Sequence, residues 1–82
     1  MDEKLIGEVS NFFEHVGVIA IKLSDVLKIG DKIRIIGGET DFTESIKSMQ
    51  LQHKNIDKAK KGDEVGIKVS GRARKGYKVY RV

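Results

Sequence analysis

The stretch Lys28-Ile29-Gly30-Asp31-Lys32-Ile33-Arg34-Ile35 joins a glycine turn to an alternating strand, and its pattern returns at Lys60-Lys61-Gly62-Asp63-Glu64-Val65-Gly66-Ile67. Arg74-Lys75-Gly76-Tyr77-Lys78-Val79 is a looser third copy. In each, a basic residue precedes the glycine and an apolar residue stands three places after it. Glycine reaches positive φ without steric cost, so it suits a turn that feeds a strand. Asp31 and Asp63 directly follow their glycines and are placed to accept backbone N–H groups inside the turn. Gly30, Asp31, Gly62, Asp63 and Gly76 are therefore read as structural turn residues. The glycines are 32 and 14 residues apart. A solenoid needs a fixed period, so this is turn chemistry used again, not a repeat array.

Outward from these turns the chain reads as short strands. Residues 5–13 place Leu5, Gly7, Val9 and Phe13 on one parity and Glu8 and Ser10 on the other, the period of a half-buried strand. Residues 16–23 are rich in Val and Ile, and residues 32–36 form a third strand that Gly37-Gly38 ends. Ser24-Asp25 predicts one helical turn within 23–29. A fourth strand over 42–51 carries a phase fault: Ile46 has even parity, Met49 and Leu51 odd. A slip of one residue turns every later side chain to the other face, so a bulge is expected near Lys47-Ser48. The spacing of Ile56 and Ala59 suggests a helical turn within 53–61. Strands over 64–69 and 77–82 follow, with a basic loop over 70–76. Six strands without a long helix or a proline predict an all-β fold, and closure into a barrel removes exposed edges most simply.

Composition narrows function mainly by exclusion. The chain has 82 residues, 16 Lys+Arg, 12 Asp+Glu, two His, and no Cys, Pro or Trp. That allows one small domain, expected over 1–82, with a single core. Without cysteine there is no disulfide, thiolate metal site or cysteine nucleophile. No cofactor and no metal site are expected. The opening residues are acidic and lack a secretion signal's apolar run, and no stretch is long enough to span a bilayer, so a soluble cytoplasmic location without membrane contact is the expectation. The net charge of +4 is unevenly placed. Residues 1–67 hold ten basic and all twelve acidic side chains, while 68–82 hold six basic ones and no acid.

That segment supplies the main candidate site: Lys68, Arg72, Arg74, Lys75, Lys78 and Arg81, with Tyr77 among them. Cations neutralise phosphates and an aromatic ring stacks on bases, which together describe a nucleic-acid contact. The same charges also protect an edge strand, and both readings stand. His15 and His53 have no nucleophile at a defining spacing and read as surface residues. Asp41 and Glu44 offer two carboxylates, fewer oxygens than a calcium loop supplies. Phe12 and Phe13 are sequence neighbours and cannot both enter one core without a bulge. No nucleophile–base pair emerges, so an enzyme is not expected.

Gly7-Glu8-Val9, Leu27 to Ile35, Ile46 to Lys54 and above all Ala59-Lys60-Lys61-Gly62-Asp63-Glu64-Val65-Gly66-Ile67 resemble domain 2 of the translational GTPases, such as elongation factor Tu and elongation factor one-alpha. Leu27 to Ile35 and Thr40-Asp41-Phe42 are more similar still to the C-terminal barrel of the collagenase-like peptidase family (peptidase U-thirty-two). The likeness runs over 5–82. It implies a single six-stranded closed β-barrel of the translation-factor domain 2 type. No GTP binding is expected, since a phosphate-cradling Gly-x-x-x-x-Gly-Lys-Ser/Thr loop is missing. The resemblance implies a stand-alone accessory that contacts tRNA or rRNA. The alternative is a protein-interaction module, a detached peptidase-family barrel that docks onto an enzyme subunit.

Overall fold

The computed structural model describes residues 3–82, so the domain expected over 1–82 is seen over that range. Ten strands are present: β1 Lys4–Phe13, β2 Val18–Leu23, β3 Leu27–Lys28, β4 Lys32–Gly37, β5 Thr40–Ser45, β6 Met49–Leu51, β7 Lys54–Asn55, β8 Lys58–Ala59, β9 Glu64–Lys68 and β10 Lys78–Arg81. No helix occurs among the described residues, and the fold is all-β. Eight strands form one sheet in the order β5-β4-β10-β1-β2-β9-β6-β7, and β3 pairs with β8 in a separate ribbon. Every pairing is antiparallel.

The expected closed six-stranded barrel is corrected by this order: the ladder is open, with β5 and β7 at its ends. The sheet nevertheless curls. β5 and β6 sit near opposite ends of the order, yet residues 46–48 alone separate them. Four residue steps reach about 14 Å at most, so the two ends must approach each other around the core. A side chain also ties β5 to the segment that follows β9. Glu44 Oε1 accepts hydrogen bonds from Ser70 N (2.9 Å) and Ser70 Oγ (3.0 Å).

The phase fault in the fourth strand explains the opening. The chain does not bulge at Lys47-Ser48; it breaks there and changes neighbours. Ile46 still belongs to the β4 side, donating to Asp31 O (2.8 Å) and accepting from Gly30 N (2.9 Å). Met49 instead pairs with Ile67 of β9. Both Ile46 and Met49 are 1% exposed, so the slip keeps each in the core while the backbone crosses from one sheet end to the other.

Neither expected helical turn forms. Leu27 and Ala59 are buried and pair across β3 and β8, closing one end of the core. A single helical turn is marginal on its own, so this burial decides the conformation. The three glycine turns share one geometry. Asp31, Asp63 and Tyr77 donate their N–H groups to the carbonyls of Lys28, Lys60 and Arg74 at 3.0–3.1 Å, and Gly30, Gly62 and Gly76 have φ of 95–98°. In the first two, Asp31 and Asp63 accept from Lys28 N and Lys60 N at 3.1 Å.

The core takes alternate residues: Ile19 and Ile21 from β2, Ile33 and Ile35 from β4, Val65 and Ile67 from β9, and Val79 from β10. It contains no polar or charged residue among those described. β1 departs from its expected alternation. Its register shifts between Leu5 and Gly7 and again between Val9 and Asn11. Ile6 is therefore fully buried and Phe12 packs on the core, while Leu5 and Phe13 stand out at 47% and 48% exposed.

Candidate functional site

The basic segment is anchored by small apolar residues. Val69 and Ala73 are buried. Gly71 passes so near the Phe42 ring that a Cβ there would lie 2.8 Å from it. On either side of Ala73, Arg72 and Arg74 are exposed. With Phe12, Tyr77, Glu14 and Glu39 they line a cleft of about 420 Å³.

The six cations are divided among different places. Lys68 is exposed at the end of β9. Arg72 Nη2 lies 3.6 Å from Glu14 Oε1. Lys78 bonds Glu8 on the outer face of the sheet. Arg81 donates Nη1 to the Val26 carbonyl at 2.6 Å, with Nη2 3.6 Å from Asp25, at the sealed end of the core. Arg74 and Lys75 are exposed and make no salt bridge among the described residues. Tyr77 is half-buried and its ring lies against Gly37 and Gly38.

Other candidates separate as well. Asp41 is engaged by Arg34 and Glu44 by Ser70, so they do not converge on one cation. No group of three or more metal-ligating side chains occurs among the described residues. His15 is exposed in the β1–β2 turn. His53 is exposed in the two-residue β6–β7 turn, where Gln52 and His53 have φ of 51° and 65°. Such backbone ordinarily favours Gly or Asn, so this hairpin carries no familiar sequence mark.

Two surfaces that expose apolar side chains complete the picture. The first is a cleft of about 400 Å³ outside β2 and β9. Phe13 and Val16 form one wall, Val18, Ala20 and Gly66 line it, and Gln52 and His53 also border it. The second is the outer face of β1, β10 and β4. Val79, Ile33 and Ile35 point inward, so Lys78, Tyr80, Arg34 and Ile36 point outward. Leu5 pairs with Tyr80 and Tyr80 with Arg34; Glu8 pairs with Lys78 and Lys78 with Ile36.

On this face Arg34 is a hub. Its Nε and Nη2 donate to the two Asp41 oxygens at 2.7 and 2.6 Å, and Nη1 donates to Glu3 at 2.7 Å. The hydrogen bonds from Arg34 hold the Asp41 carboxyl below its ordinary 3.8. Asp25 is also held low, first by the Lys4 hydrogen bond and then by Val26 N–H. A carboxylate with a depressed folded pKa adds stability above its unfolded value and loses it as pH falls through the folded one. Urea midpoints of wild type and Asp41→Asn should therefore differ by a constant amount at neutral pH and converge below about pH 4. The difference should shrink with added salt, because the pair is partly exposed. A gap that widens in acid contradicts this assignment.

Comparison with known proteins gives the arrangement a context. No protein-family profile matches the chain. It is 49% identical over 76 residues to an uncharacterized protease of Methanocaldococcus jannaschii. The match takes in 92% of this chain and spans 19% of that protease's length. In fold, the chain is similar to the C-terminal domain of a candidate U32 peptidase of Geobacillus thermoleovorans, solved in two forms. One superposes with a TM-score of 0.90 at 18% identity, covering 96% of this chain and 92% of the other. The selenomethionine variant gives 0.88 at 19% identity, covering 93% and 96%.

Proposed function

We propose that this chain is the accessory β-module of a peptidase and acts by docking to a peptidase body, with no reaction of its own. The observation that carries this is the 49% identity to a part of a protease spanning about one-fifth of its length. A module-sized match inside a much longer protein is what a separable domain produces. The all-β fold shared with a peptidase C-terminal domain agrees with it. The translation-factor resemblance and its RNA contact compete with this reading. They are less well supported, because the cleft that holds Arg72 and Arg74 also holds Glu14 and Glu39. Carboxylates there oppose a phosphate backbone.

The test uses the Methanocaldococcus protease with its matching fifth removed. Mixed with this chain, that body should elute as a complex in size-exclusion chromatography. The body's own excised module serves as the positive control. If that control binds while this chain does not, and this chain instead retains tRNA or rRNA in an RNase-sensitive way, the reading is overturned.

A further inference from the structure

We infer that the outer face of β1 and β10, centred on Leu5, Tyr80 and Val82, is the surface on which the peptidase body sits. This rests on the proposed docking role and adds its location. Leu5 and Val82 are 47% and 45% exposed. Leu5 lies directly opposite half-buried Tyr80. Continuing that register places Val82 diagonal to Leu5 on the same face, within reach of a shared contact.

Two independent observations select this face. The first is where the rest of a longer protein must arrive. In the solved neighbours the module is the C-terminal domain, so their remaining chain precedes β1. In the protease relative, about four-fifths of the length lies outside the match. A body joined ahead of β1 emerges at Glu3-Lys4, and Lys4 pairs with Arg81 beside Leu5 and Val82. The Phe13–Val16 cleft lies at the other end of β1, roughly 30 Å of strand away.

The second observation is charge. Five of the six described salt bridges gather on this face or at the adjoining end of the core: Arg34 with Glu3 and Asp41, Lys78 with Glu8, and Asp25 with Lys4 and Arg81. Covering them leaves few lone charges, and burial of an unpaired charge is what most opposes an interface. Lys32, at the margin, is exposed and makes no described salt bridge. Apolar side chains are open here while the charges are already matched within the module, which suits a desolvating contact with another folded body.

The experiment measures binding of this chain to the same protease body by titration calorimetry. The double variant Leu5→Ser/Val82→Ser should weaken the complex about tenfold or more. The control Phe13→Ser/Val16→Ser should leave the dissociation constant within about twofold. All four positions are substantially exposed, so the fold should survive, and circular dichroism with thermal melts checks it. Loss of binding in the Phe13/Val16 variant with retention in the Leu5/Val82 variant overturns the location while keeping the docking role. Failure of the wild type to bind a body that accepts its own module overturns both.

Discussion

Ile35→Ala is expected to lower the unfolding free energy by about 2–5 kcal/mol. Ile35 is fully buried in β4, between Val79 of β10 and Phe42 of β5. Its truncation loses the transfer energy of the deleted carbons and leaves a cavity between antiparallel neighbours that cannot easily collapse. A domain of this size has a total stability of about 4–12 kcal/mol, so the variant should be close to unfolding. The adjacent Ile36→Ala removes a similar volume from the half-buried outer face and should cost far less. In urea, the Ile35 variant should show a large fall in midpoint with little change in slope. Equal losses at the two positions would mean that the inward face of β4 is assigned wrongly.

Gly37→Ala should destabilise by about 1–3 kcal/mol, although it adds only a methyl group to an extended strand. A Cβ at Gly37 would lie 2.2 Å from Tyr77 Cδ1 and 2.3 Å from Cγ. The ring must swing away, and with it goes packing between the basic loop and β4. Gly66 is the internal contrast. Its Cβ would meet Val18 Cγ1 at 3.5 Å, an ordinary contact, and its φ is not in the left-handed region. Gly66→Ala should be neutral or stabilise by about 0.4–1 kcal/mol, through the lower entropy of the unfolded chain. Adding Tyr77→Ala to Gly37→Ala should recover part of the loss, a coupling of about 0.5–3 kcal/mol in a double-mutant cycle. Independent effects at positions 37 and 77 would contradict a ring seated on the glycine.

Features specified by neighbouring residues were the most legible in the sequence. The glycine turns were visible because a positive-φ residue and an Asp acceptor act within four positions. The phase fault between Ile46 and Met49 was visible because parity is a local property, but its outcome was not. A bulge and a strand break look alike until the partners of each half are known, and those partners lie on β4 and β9. The helical turns expected around Leu27 and Ala59 gave way to a pairing between residues 32 apart in sequence. The basic residues at 68–81 looked like one strip because they are close in sequence. Alternation and turn placement send Lys78 to the outer face and Arg81 to the sealed end, where Glu8, Asp25 and the Val26 carbonyl receive them. Leu5 shares parity with buried Gly7 and Val9 yet faces outward, for a related reason. The register shift after it reverses its face, and nothing local announces that shift.

The position of β10 makes it the joint of the sheet. It lies in the interior, between β1 and β4. Without residues 78–81, β1 and β4 have no common neighbour, and Ile6, Ile33 and Ile35 lack the Val79 that completes their layer. Release of β10 would therefore split the sheet into two parts rather than fray one edge.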